Sequence, residues 1–581
     1  MGNQICGATK SQDEGWVHET VFPMYVVKMA DLLQMKGTPK DHASLLKEKL
    51  LHQWEPGMFV LFVSHQWLSR RHPDPSGQQL EVLQSALRGL MDGSLRLSLD
   101  GYWVLFADET QATMEIRAML PEAYIWLDWL GVPQLTSKTD DAPPPEAAKA
   151  IQSIPGYVER CHLFVILAPE LFHHDTGLIC NCTSWQSRGW CISELLCQQL
   201  SSKPDTTIIT LHSAKHVELS SYKIDWDAVW QSQFTVEDDR LMVSSLVQKS
   251  VAMKIQHESE AGSLAYLRYL LTGQFHLSRS QRAGWEIEEF LRQFQFSSLH
   301  DAATDQSPMP GLLCAVLSGD VQMIRVLVQN TADVNLRCHG LEKICRQPSG
   351  HTPLMMAARC KQDPVVLSTL LELQADLTAA SRFGAQVIHW VQTPGQVQVL
   401  ANAGVDMQNL TRFRNPPLAS VACWASFDTV KEMILHRCDV NPSNAGIHPL
   451  HVVAAFSKRQ AAEKAQLLLE HRAEVDVQLS TAGTSIFACI CHSSQIISYM
   501  YDFGSLSAAT KLFGSLEGIT PLGMAAFFGD HSLTRCLLEA GADRSIANAR
   551  GDLPLMLANA QGHRAIVSEL EGFQQRDKDQ P

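Results

Sequence analysis

A short pattern recurs eight times in the second half of this chain, and a chain that repeats itself at a fixed interval has to fold as a stack. The pattern is a turn, then Pro-Leu or a replacement for it, then a run of small residues. It stands at Gly311-Leu312-Leu313-Cys314-Ala315, Thr352-Pro353-Leu354-Met355-Met356-Ala357-Ala358, Val387-Ile388-His389-Trp390 and Pro417-Leu418-Ala419-Ser420. It returns at Pro449-Leu450-His451-Val452-Val453-Ala454-Ala455, Ser485-Ile486-Phe487-Ala488, Thr520-Pro521-Leu522-Gly523-Met524-Ala525-Ala526 and Leu553-Pro554-Leu555-Met556-Leu557-Ala558. The Leu-equivalent positions (312, 354, 388, 418, 450, 486, 522, 555) are 30 to 42 residues apart, with a mean near 35. A second signature follows each first one. A helix rich in Leu, Val and Ile ends in Ala or Gly and then an acid, as in Leu370-Leu371…Ala375-Asp376, Val399-Leu400…Gly404-Val405-Asp406 and Leu537-Leu538…Gly541-Ala542-Asp543.

The physical reasons are local. Pro at the first helical position needs no donor, and paired alanines let two helices approach closely. Gly after the second helix ends it with a left-handed residue. One unit cannot bury its apolar side alone, so neighbours must stack. These residues resemble the ankyrin repeat, whose period is about 33 residues. The resemblance implies eight repeats over about residues 305–573, an all-α solenoid whose concave face and fingers bind other proteins. The units at Ile388 and Ile486 depart most, the first lacking Thr-Pro and the second reading Gly483-Thr484-Ser485. The interval from Asn335 to Gly350 carries extra residues, including Cys338, His339 and Cys345, and is expected to lengthen a finger hairpin rather than hold zinc, which needs four ligands at fixed spacing.

Composition narrows the function classes. The 581 residues carry a formal charge of −14, against the basic surface that releases counterions from a nucleic acid, so no nucleic-acid partner is expected. No uncharged apolar run reaches the ~18 residues of a membrane span. Fifteen cysteines in such a length are too sparse and too odd in number for a disulfide scaffold, which points to a cytoplasmic address. The start, Met1-Gly2-Asn3-Gln4-Ile5-Cys6, qualifies it. Gly2 stands where a myristate acceptor stands, although Cys6 replaces the usual Ser or Thr. Cys6 could itself take a palmitoyl group, the second anchor that one chain lacks. The other reading is an unmodified N-terminus.

The first half alternates strand and helix. Met58–Ser64, Ala123–Asp128, His162–Leu167 and Thr206–Leu211 are strand-sized apolar runs. Between them lie a helix with Leu80, Leu83, Ala86, Leu87 and Leu90 at helical spacing, another around Ala147–Arg160, and a third from Trp190. That alternation predicts a parallel sheet covered on both faces, with any ligand beyond the carboxyl ends of the strands. No Gly-rich phosphate loop follows a strand, which argues against an ordinary dinucleotide or P-loop enzyme.

Ser187-Arg188-Gly189-Trp190-Cys191-Ile192-Ser193-Glu194-Leu195 resembles the Ser-x-Trp-Cys-x-x-Glu-Leu segment of Toll/interleukin-receptor (TIR) domains, and Phe62-Val63-Ser64-His65 resembles the end of their first strand. Tyr124-Ile125-Trp126-Leu127-Asp128…Pro133-Gln134 is similar to the Trp-x-Asp…Asn-Gln motif of fungal heterokaryon-incompatibility domains. The resemblance covers about residues 55–215 and implies a flavodoxin-like α/β domain. Many such domains are scaffolds that self-associate. Some cleave the nicotinamide–ribose bond of NAD with a glutamate at the position of Glu194, whose carboxylate would stabilise an oxocarbenium-like centre. The ligand-pocket candidates are Ser64, His65, Trp67, Asp128, Trp190 and Cys191, with Glu194 expected on the helix face of Trp190 and Cys191. No cofactor is expected, NAD entering as substrate under the enzyme reading alone.

Two other constellations are set aside. His173, His174, Cys180, Cys182, Cys191 and Cys197 lack zinc-site spacing. Ser64 and His65 are adjacent on a strand and so leave opposite faces, which keeps them from pairing as nucleophile and base. The expected organisation is an N-terminal segment (1–50) with the lipidation candidates, the TIR-like domain (51–220), a helical connector (221–300), the repeats (301–573) and a charged tail (574–581). Val243, Leu246, Val247 and Val251, then Leu264, Leu267, Leu270 and Leu271, with Trp226, Trp230, Phe234 and Trp285, are expected to pack between the two halves. The function this supports is an adaptor whose repeats bind a protein partner while the α/β module signals or self-associates.

Overall fold

The computed structural model describes residues 16–99, 109–134, 145–203, 206–220, 222, 226, 228–278, 284–341, 350–443, 447–457, 460–480, 493 and 508–578. The chain divides into two units, Met1–Leu270 with His276–Arg279, and Leu271–Phe275 with Ser280–Pro581.

The described residues of the first unit form ten strands: β1 (Tyr25–Lys28), β2 (Leu51–Gln53), β3 (Val60–His65), β4 (Leu97–Leu99), β5 (Tyr124–Leu127), β6 (Leu163–Leu167), β7 (Leu171–Phe172), β8 (Ile179–Cys180), β9 (Thr207–Ser213) and β10 (His216–Ser220). β7 and β8 form a separate hairpin, and the other eight make one sheet in the order β2-β1-β5-β3-β6-β9-β10-β4. The four strands expected from the apolar runs, β5, β3, β6 and β9, are its parallel centre. Across the sheet they stand second, first, third and fourth in chain order, the doubly wound arrangement whose direction reverses between β3 and β6. Every residue of β3 and β6 is buried, as a strand covered on both faces requires. Phe62 stacks on Trp126 at 4.5 Å and on Phe164 at 5.3 Å, and Trp126 meets Tyr157 of the helix Ile154–Arg160.

Val243, Val247, Val251 and Leu270 lie in this same core with Cys197 and Leu200. The helix Asp239–Ala261 therefore covers the first unit. Trp226 and Phe234 also pack against that core, while Trp285 belongs to the second unit, where it meets Phe294 at 5.9 Å. Of the residues grouped in the expected connector, Val243, Leu246, Val247, Val251, Leu270, Trp226 and Phe234 thus pack with the first unit's core, while Leu271 and Trp285 belong to the second unit.

The second unit is a run of helix pairs. The first helices are Gly311–Leu317, Pro353–Arg359, the 3-10 turn Val387–Trp390, Pro417–Trp424, Pro449–Phe456, Pro521–Phe528 and Pro554–Gln561. Thr352 and Thr520 cap theirs through Met355 N and Gly523 N, while Asp320 and Asp530 cap second helices, each a favoured capping residue. Second helices end alike. Ala332 N bonds Leu327 O, and the same bond recurs at Ala375, Val405, Cys438, Ala473 and Ala542. The left-handed residue before it is glycine at Gly404 and Gly541, but Thr331, Gln374, Arg437 and Arg472 take it with a side chain.

The residues around Ile486 fall outside the described ones, yet the helices on either side meet directly. His451 Nε2 lies 3.0 Å from Ile519 O, Leu479 N donates to Ile519 O at 2.9 Å, and Phe456 meets Phe528 at 5.9 Å. Asp543 N donates to Asp476 Oδ1 at 2.9 Å, as Glu474 N does to Asn441 Oδ1 one layer earlier. Among the described residues seven first helices stand in succession, and the eighth unit expected at Ile486 lies outside them.

Candidate functional site

The switch between β3 and β6 sets where side chains can converge. His65 ends β3 and Asp128 follows β5, one strand over. His65 Nε2 stands 2.8 Å from Asp128 Oδ1, and His65 Nδ1 stands 2.7 Å from Gln79 Oε1. Trp67 Nε1 donates to Asp128 Oδ2 at 2.9 Å, and Trp129 N to Asp128 Oδ1 at 2.6 Å. Burial opposes a charge on His65, but Asp128's charge and hydrogen bond, with help from Gln79, raise it to about 9. Burial likewise opposes ionisation of Asp128, and the imidazolium with the two N–H donors outweighs it, leaving the carboxyl below its ordinary value. The pair is therefore ionic at neutral pH.

Ser64 leaves the opposite face, as its place on the strand dictates. Trp185 Nε1 donates to Ser64 Oγ at 3.2 Å, and the Ser64 hydroxyl also bonds the Glu194 carboxyl. Glu194 lies on the helix Gly189–Gln199 and is 8% exposed. Burial, reinforced by the Asp128 charge, raises it to about 8 against the opposing pull of Ser64 and His65. Its Oε2 has no hydrogen-bond partner among the described residues. The edge of the sheet thus holds a raised imidazole paired with a lowered carboxyl, and a raised carboxyl that feels the charge of both.

Six of the seven sequence candidates come together here. Cys191 Sγ donates to His65 O at 3.4 Å, and burial raises its thiol well above the ordinary range, so it packs as a neutral group. Trp190 does not join them: its indole donates to Asp239 Oδ2 at 2.9 Å on the helix Asp239–Ala261. The helix start turns Trp190 toward that neighbour while Glu194, one turn on, points to β3. Gln79 and Trp185 were missed because neither lies in a motif. Gly2 and Cys6 lie outside the described residues. The cysteines weighed for metal scatter, Cys180 on β8, Cys191 under His65 and Cys197 against Ser250; of the insert, Cys345 lies outside the described residues.

A second polar centre was not anticipated. Glu159, buried on the helix Ile154–Arg160, accepts from Val17 N at 3.0 Å, His18 N at 2.8 Å and Ser202 N at 2.7 Å. Desolvation works against its charge, but His18 and these donors hold it ionised down to about 2. Trp16 beside it lies under Arg160 at 5.1 Å and Lys203 at 4.9 Å.

The second unit offers a surface rather than a reactive cluster. The family model for the ankyrin repeat matches residues 349–382. The array carries ankyrin repeats. Ankyrin repeat and SOCS box protein 11 of Danio rerio is 31% identical over 128 residues, which are 22% of this chain and 41% of that protein. The chain thus spans less than half the length of that curated relative. The ankyrin repeat domain of Bcl-3, described as a unique member of the IkappaB protein family, is 21% identical over 45% of this chain and 97% of that one, with a TM-score of 0.30. Ankyrin repeats imply a role in protein–protein interaction. No helix among the described residues is long and apolar enough to cross a membrane.

Proposed function

We propose that the chain is an adaptor: the ankyrin array holds a protein partner, and the TIR-like α/β unit mediates signalling or self-association. One observation carries the reading. The array closes its own core and still leaves Phe383, Phe413 and Trp424 at 49%, 45% and 58% exposure, the kind of apolar surface that marks a binding face. Cross-linking of the full chain in its native cells tests it. Links from Lys361 and Lys431 to another polypeptide are expected; links to other proteins from residues 16–270 alone would overturn it. Membrane association through Gly2 and Cys6 belongs to the same proposal, and the mass of the N-terminal peptide decides it.

A second reading, cleavage of NAD, is favoured by the buried Glu194 carboxyl beside the His65–Asp128 pair. A glutamate held neutral near pH 7 is a proton donor, whereas stabilising an oxocarbenium centre requires the ionised form. The adaptor reading therefore stands first. Under the enzyme reading, the full chain releases nicotinamide with a rising limb near pH 8, and Glu194→Gln abolishes it. No release from concentrated protein removes that reading.

A further inference from the structure

We propose that the tips of two adjacent fingers of the ankyrin array form a docking ridge for an acidic peptide segment bearing an aromatic side chain. The inference rests on the reading of the array as a protein-binding surface and names the chemistry of the partner.

The two fingers are built alike. Ser381–Gly384 is a turn in which Gly384 N bonds Ser381 O at 2.9 Å and Ser381 N bonds Ala385 O at 2.8 Å. Thr411–Arg414 repeats it, with Arg414 N on Thr411 O at 2.8 Å and Thr411 N on Asn415 O at 3.1 Å. The fourth residue is left-handed in both, Gly384 at φ 81° and Arg414 at φ 59°. One backbone bond, Arg412 N to Phe383 O at 2.8 Å, locks the fingers side by side. A Cβ on Gly384 would come within 3.0 Å of Arg412 N, so the close approach depends on glycine there.

The register puts Arg382 beside Arg412 and Phe383 beside Phe413. The two rings meet at 5.6 Å and each stays about half exposed. Arg382 and Arg412 are exposed, and neither belongs to an ion pair among the described residues. Charge gives the occupant. Between Asp376 and Asp428 the chain carries three arginines, all at these tips, and one carboxylate, Asp406, in a protein of formal charge −14. Asp406 is engaged at the base of its finger by Gln408 N at 2.9 Å. A strip of positive charge flanking a pair of half-open rings complements a ligand with carboxylates around an aromatic anchor. Arg and aromatic residues are the ones that dominate binding energy at interfaces.

The test uses the full chain and a labelled synthetic peptide of alternating Glu and Phe, followed by fluorescence anisotropy. Controls are the same peptide with Lys for Glu, an all-Glu peptide, phosphatidylserine vesicles and a single-stranded oligonucleotide. The Glu/Phe peptide is expected to bind, to weaken with salt as exposed charge pairs do, and to lose about tenfold or more in R382E/R412E and in F383S/F413S. Both doubles sit at exposed tips, and an unchanged melting curve shows that they fold. Binding that survives both doubles, or is matched by the Lys peptide, overturns the ridge. Equal binding of vesicles or oligonucleotide through the same arginines overturns the peptide assignment. The adaptor reading is judged separately, by the cross-links from Lys361 and Lys431. If those links persist in R382E/R412E, the ridge fails and the adaptor stands; if they are absent from the wild type, the adaptor reading fails whatever the peptide does.

Discussion

His65 ends β3 and Asp128 follows the neighbouring β5, 63 residues on in the chain, and the two meet at 2.8 Å beyond the carboxyl edge of the sheet. The contact ties β3 to β5 just past the end of their shared register at Val63 and Leu127, and the His65 charge is felt by Glu194.

Alkaline pH should loosen the first unit. His65 is raised from 6.5 to about 9 and Glu194 from 4.5 to about 8. A raised value in the folded state means stability that is full below the unfolded value and lost as pH climbs through the folded one. The His65 contribution therefore fades between about 6.5 and 9, and that of Glu194 between about 4.5 and 8. Hydrogen exchange at Leu163–Leu167, corrected for intrinsic rate, should speed up across pH 7 to 9. In Asp128→Asn the His65 titration should fall well below 9 by NMR, since burial is then opposed by Gln79 and Glu194 alone. Constant protection to pH 9 would refute the assignment.

Acid acts elsewhere. Glu159 is depressed from 4.5 to about 2, so its contribution is present above 4.5 and lost on descending toward 2. Glu159→Ala leaves the amides of Val17, His18 and Ser202 without their acceptor and should cost about 3 kcal/mol. The amides of Val17 and His18 should then exchange freely while those of β6 stay slower. Retained protection at Val17 would show that something else holds the segment.

Four second helices end on a left-handed residue that is not glycine, at a local cost of about 1 kcal/mol each. Gln374, with φ of 70°, is exposed. Gln374→Gly should stabilise the array by about 0.5 kcal/mol, since relief of that strain exceeds the added freedom of the unfolded chain. Urea unfolding of the second unit measures it, and a loss of stability would contradict the geometry.

Much of this was legible in the sequence. The central strands announced themselves because a strand buried on both faces must be apolar throughout, and Val60–Val63 and Leu163–Leu167 are. β1, β2, β4 and β10 did not, being three to five residues long and mixed in character, so that pairing rather than pattern makes them strands. The helix starts at Pro353, Pro449 and Pro521 were readable from Pro-Leu and the capping residue before it. The unit expected at Ile486 lies outside the described residues. Within the site, His65, Asp128 and Glu194 stood in motifs. Gln79, Trp185 and Glu159 did not, since each acts through a partner brought from more than ten residues away.

The contact of His451 Nε2 with Ile519 O has a consequence for how such a protein changes over generations. A side chain that serves the storey beyond its own cannot drift without loosening that storey too. Such a junction is inherited as a unit, while the exposed tips are where new sequence can be tried.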